Sequence, residues 1–132
     1  MRTALPLALL LSALPLHAEN WAWLNGTMRL DLDAVRTQQS LISYQVRLDH
    51  QFDPEDFTLY ETTVDCSTGD TWLTAREEHH PGHPPVISKL APEQIRRTPA
   101  SSKSMAGVLN TLLCNGKPDV ATIEREMEKL AP

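Results

Sequence analysis

Cysteine, glycine and long apolar runs are all scarce in this 132-residue chain, and each scarcity removes a class of function. The five glycines form neither a Gly-rich phosphate loop nor a Gly-x-Ser-x-Gly elbow, so nucleotide cradling and the commonest nucleophilic frame have no local signature. Ser, His and Asp occur, but nothing in the spacing frames them into a triad. Cys-x-x-Cys, the pair that redox catalysis favours, is missing too. The sequence therefore predicts no enzyme and calls for no cofactor. Cationic charge is also short: twelve Lys and Arg against seventeen Asp and Glu leave a formal charge of −5. Such a chain has no electrostatic footprint for displacing counterions from nucleic-acid phosphates. Arg96, Arg97 and Lys103 make one small basic patch, which reads as solvated surface.

The apolar run that is present occupies residues 4–16, preceded by Arg2 and followed by His17-Ala18. It is too short to cross about 30 Å of hydrocarbon as a helix, and Pro6 and Pro15 interrupt it. Charge, apolar run and small residue in that order predict a cleavable export signal at residues 1–18, with the mature chain starting at Glu19. Glu19 stands where a lipoprotein would carry its acceptor cysteine, and no later stretch is apolar enough for a membrane span. A periplasmic or secreted protein with no stable membrane anchor after cleavage is expected. Cleavage removes Arg2 and no acid, moving the formal charge from −5 to −6. In an oxidising compartment Cys66 and Cys114 read as one structural disulfide. Closing that loop would restrict the unfolded chain by roughly 4 kcal/mol, a large share of the roughly 5–15 kcal/mol typical of a domain.

Alternation sets the fold class. Residues 21–24 and 27–32 flank Asn25-Gly26, a hairpin signal in which Asn-Gly supplies the positive φ angles of a two-residue turn. Met28, Leu30 and Leu32 alternate with Thr27, Arg29 and Asp31, giving one apolar and one wet face. Residues 41–49 repeat this with Ile42, Tyr44, Val46 and Leu48. After a loop around Asp53-Pro54, residues 57–66 place Tyr60, Thr62, Val64 and Cys66 on one face, then turn through Ser67-Thr68-Gly69-Asp70 into a strand at 71–77. Residues 78–85, rich in His, Pro and Gly, predict an exposed loop before a short strand at 86–90.

From Ser102 the period becomes helical. Met105, Val108, Leu109 and Leu112 share a stripe, and Ser101 or Ser102 serves as cap. At about 100° per residue Cys114 falls opposite Met105, so the helix is expected to end near Leu113, with Asn115-Gly116 as the stop. Residues 117–132 form a helical extension whose stripe is Val120, Ile123, Met127 and Leu130, either docking weakly or standing clear of the domain at 19–116.

Several of these segments together resemble the surface-adhesin protein E-like family of bacterial exported proteins. The resemblance is carried by residues 21–24, Leu30-Asp31-Leu32-Asp33, the strand from Tyr60 ending in Val64-Asp65-Cys66, and the stretch from Ile95 through Ser101-Ser102 to Leu113-Cys114. It implies an α+β fold: an antiparallel sheet of about five to six strands with a late helix tethered across it by one disulfide. Its implied activity is adhesion, the partner being another protein. The chain departs from the adhesin pattern in lacking a lipidation cysteine, and no catalytic residues come with the resemblance.

Two site readings compete. Trp21, Trp23 and Trp72 are candidates for an aromatic contact surface, since such rings often anchor protein interfaces. His79, His80 and His83, with His50 elsewhere, are the alternative: imidazoles able to take a metal or haem if the loop curls. An exported noncatalytic binding module is the first reading, a periplasmic metal- or haem-binding protein the second. Nothing in the residues sets an oligomeric state.

Overall fold

The computed structural model describes residues 20–50 and 53–131, so the expected export signal at 1–18 lies outside the described residues. Among the described residues eight strands form one antiparallel sheet. They are β1 (Trp21–Trp23), β2 (Met28–Asp31), β3 (Arg36–Gln38), β4 (Leu41–Asp49), β5 (Phe57–Asp65), β6 (Asp70–His79), β7 (Val86–Lys89) and β8 (Thr98–Pro99). The main path is β1-β2-β4-β5-β6-β7, with β3 beside β4 and β8 beside β6. Two short strands thus share the outer side of two of the three long ones, β2 and β3 on β4 and β7 and β8 on β6, with β5 between them.

Helices α1 (Met105–Cys114) and α2 (Val120–Glu128) cover one face. Ala22, Leu30, Ile42, Tyr44, Val46 and Val64 meet Leu109, Leu113, Ile123 and Met127 there in a single core cluster. This is the α+β architecture that strand alternation followed by a helical period predicts. The C-terminal helix is seated in that core: Ile123 is 0% exposed. The backbone N–H of Trp23 also donates to Glu124 Oε1 at 3.1 Å, so α2 caps the β1 edge.

Three local expectations are corrected. Asn25-Gly26 does not adopt positive φ. Trp23 pairs with Arg29, which leaves a wider connection, and the Asn25 carboxamide organises it by accepting from Thr27 N (2.8 Å), Thr27 Oγ1 (3.1 Å) and Met28 N (2.8 Å). An Asx turn has replaced the two-residue turn. Among the described residues other than glycine, positive φ occurs at Gln39 (55°), in the Gln39-Ser40 connection between β3 and β4.

The exposed loop begins later than expected, because β6 continues through Glu78 and His79, paired with Thr58 and Phe57. The first helix runs through Cys114, with Ser104 as its cap. Its buried residues are Gly107, Leu109, Asn110 and Leu113, so Leu109 of the expected stripe is buried, Met105, Val108 and Leu112 are only partly so, and the buried face is rotated toward Cys114. The rotation lets the last helical residue reach Cys66 at the end of β5, with Cα atoms 5.6 Å apart and 48 residues between them in sequence.

Candidate interaction face

Side chains that alternate away from the helices make the second face of the sheet, which no helix among the described residues covers. Register aligns Trp23, Arg29, Arg47, Leu59, Glu77 and Ile87 directly across β1, β2, β4, β5, β6 and β7. A second rung beside it joins Asp49, Phe57 and His79.

A bulge decides which β6 residues take part. Glu61 pairs with Ala75 but Thr62 with Leu73, so Thr74 is the extra residue. Its hydroxyl lies 3.1 Å from both the Glu61 carbonyl oxygen and Glu61 Oε1. The insertion resets the alternation. Trp72, Ala75, Glu77 and His79 consequently share the open face although the count from 72 to 75 is odd.

Chemistry along the rungs is dense. Arg29 lies 5.2 Å and 5.1 Å from the ring centroids of Trp21 and Trp23, in cation–π range of both. Arg29 and Arg47 are direct cross-strand neighbours, a like-charge pair that would repel. Asp49 relieves this: Arg47 Nε donates to Asp49 Oδ1 at 2.6 Å, and Arg29 Nε lies 3.3 Å from Oδ2. Arg47 also donates to the Pro54 carbonyl oxygen at 2.8 Å, and its guanidinium stands 3.8 Å from the Phe57 centroid. His79 stacks on Phe57 at 4.2 Å and 14°, with Nε2 2.9 Å from Glu77 Oε1. Each cation or imidazole is held by both a ring and an oxygen, so the row is ordered before any partner arrives.

The three tryptophans occupy this face unequally. Trp23 is 45% exposed and overlooks a groove of about 400 Å³ bounded by Thr27, Arg29, Asp49 and Pro54. Trp21 is half-buried beside it. Trp72 is only 6% exposed, because the Arg97 guanidinium lies 4.2 Å over its ring. Sequence reading did not single out Arg29, Arg47, Asp49 or Phe57. The available signal was Arg29 and Asp31 at the wet positions of β2, but their neighbours depend on register.

The histidines separate. His79 is engaged with Phe57 and Glu77, His80 Nδ1 is 3.1 Å from Asp56 Oδ1, and His50 Nε2 is 2.7 Å from Thr58 Oγ1. His83 is exposed in the turn after β6, with its backbone N–H on the His80 carbonyl. Among the described residues no three His, Cys, Asp or Glu side chains gather as a metal site. Extension of β6 through His79 is the physical reason, since it points consecutive residues to opposite faces.

Ionisation elsewhere follows local geometry. The Ser67 hydroxyl and backbone N–H hold the Asp65 carboxyl below its ordinary value, and the Arg76 partner does the same for Glu78. Burial pushes Tyr44 up to about 12. No helix among the described residues is long and apolar enough to cross a membrane.

No protein-family model matches the chain, and no curated protein matches it. Its fold is similar to the crystal structure of protein E from non-typeable Haemophilus influenzae, with a TM-score of 0.58 at 6% identity, covering 85% of this chain and 90% of that one. What the two chains share is the arrangement of the backbone, over nearly the whole length of both.

Proposed function

We propose that this chain is an exported, noncatalytic binding module, adhesin-like in kind, that contacts another protein through the open face of its sheet. The observation that carries the reading is the cross-strand row of Trp23, Arg29 and Arg47, held in place by Asp49. Trp and Arg dominate the energetics of protein interfaces, and side chains that are already ordered lose little freedom on binding. The sequence resemblance to protein E-like adhesins and the likeness in fold to protein E support the same reading. On this view residues 1–18 direct export, and the mature protein works in the periplasm or outside the cell.

The test uses the native envelope. A photo-crosslinker at Trp23 should capture a protein that one at Arg125, exposed on α2, does not. The captured protein, once purified, should bind a W23A/R29A double variant about 30-fold more weakly, the loss of an interface hot spot, while the variant melts as the parent does. Unchanged affinity in that variant would sink the assignment to this face.

A further inference from the structure

The helical layer covers the sheet unevenly. Core packing takes in Ala22, Leu30, Tyr44, Val46 and Val64, yet Tyr60 of β5 and Leu73 of β6 remain half-buried outside it. With Met28, Leu48 and Met105 they line a groove of about 560 Å³ between the sheet and the first turn of α1. That volume is within the roughly 300–1,000 Å³ of small-molecule sites. Its walls are side chains contributed by β2, β4, β5, β6 and α1. Two walls are methionines, whose unbranched thioethers adapt to an irregular guest.

One cation stands at the margin. Arg96 lines the groove, is exposed, and donates to the Glu93 carbonyl oxygen at 3.0 Å. Among the described residues it belongs to none of the ion pairs. An apolar trough with a single uncompensated guanidinium at its rim complements a long apolar tail carrying one anionic head, since a guanidinium and a carboxylate form charge-assisted bonds.

We propose that this groove binds one molecule of a single-chain fatty carboxylate, its tail against Leu48, Tyr60, Leu73 and Met105 and its head at Arg96. The site lies on the helix-covered side of the sheet and does not depend on the open-face reading.

Calorimetry on the intact protein, purified without detergent, tests it with laurate and dodecyltrimethylammonium, both as monomers in solution. Laurate should bind saturably at one per chain and at least tenfold more tightly than the cation of equal tail length. R96E should weaken laurate at least tenfold and leave the cation no weaker. M105W, which fills the groove, should weaken both; if M105W melts early, Leu73→Asn on the opposite wall should do the same. Absence of saturation, equal affinity for the two amphiphiles, or indifference to both R96E and the groove variants would overturn the proposal. So would adsorption to phosphatidylglycerol vesicles without binding of monomeric laurate, which would mark a membrane-surface contact instead.

Discussion

Tyr44 shows how one side chain ties sheet to helix. Its hydroxyl is buried under α1 and donates to Asn110 Oδ1 at 2.8 Å. Burial raises its pKa to about 12. An unfolded chain releases that proton near pH 10, whereas the folded one holds it. The contribution is therefore complete below pH 10 and is lost as pH climbs toward 12, by about 3 kcal/mol over the two units. Y44F should start about 1 kcal/mol less stable for want of the hydrogen bond. Urea titrations from pH 8 to 11 should then show a shallower alkaline loss than the parent; an identical slope would remove Tyr44 as its source.

Gly107 makes a second residue-scale case. A Cβ there would sit 1.9 Å from the Ser101 carbonyl oxygen, where the chain entering α1 crosses its own helix. Helix propensity alone predicts that G107A gains about 1 kcal/mol. The close approach predicts the reverse, a loss of about 1–3 kcal/mol from overpacking. Chemical denaturation decides the sign, and a stabilised G107A would contradict the crossing.

At the scale of elements, α2 matters most. Asp119 caps it, accepting from Thr122 N at 2.7 Å, and Ile123 and Met127 enter the same core as Leu30 and Val46. Amphipathic spacing specified the stripe of this helix but not its neighbour, because a stripe states only that something apolar must cover it. I123A should lower stability by about 2–5 kcal/mol and shift the sheet's own unfolding, followed by hydrogen exchange at β2 and β4. A helix that unravels while sheet protection stays constant would mean that α2 is an ancillary tail. The disulfide works at the same scale, joining the end of β5 to the last residue of α1.

Over the whole molecule the two faces of one sheet are covered differently. Helices cover part of the first, and the second presents Trp23 and the Arg29-Asp49-Arg47 row. The edges differ as well. Glu124 occupies the outward N–H of Trp23 on β1, while β7 exposes Val86 and Ile87. Edge strands with free backbone groups invite pairing, and β7 is short, bounded by Pro84-Pro85 before it and Ala91-Pro92 after it.

The strand at 41–49, the one expected at 57–66 and found at Phe57–Asp65, the turn at Gly69 and the pairing of Cys66 with Cys114 followed from the residues themselves. Period-two alternation, a glycine at positive φ and an even count of thiols are local or compositional constraints, and each leaves its mark in sequence. The wider turn at Asn25, the rotation of α1 toward Cys114 and the arrival of His79 beside Phe57 did not. The first depends on which oxygen captures two amides, the second on packing against a sheet, and the third on one inserted residue at Thr74. Arg29 and Arg47 become neighbours through register between strands that are not consecutive in the chain, and only the tertiary structure sets it.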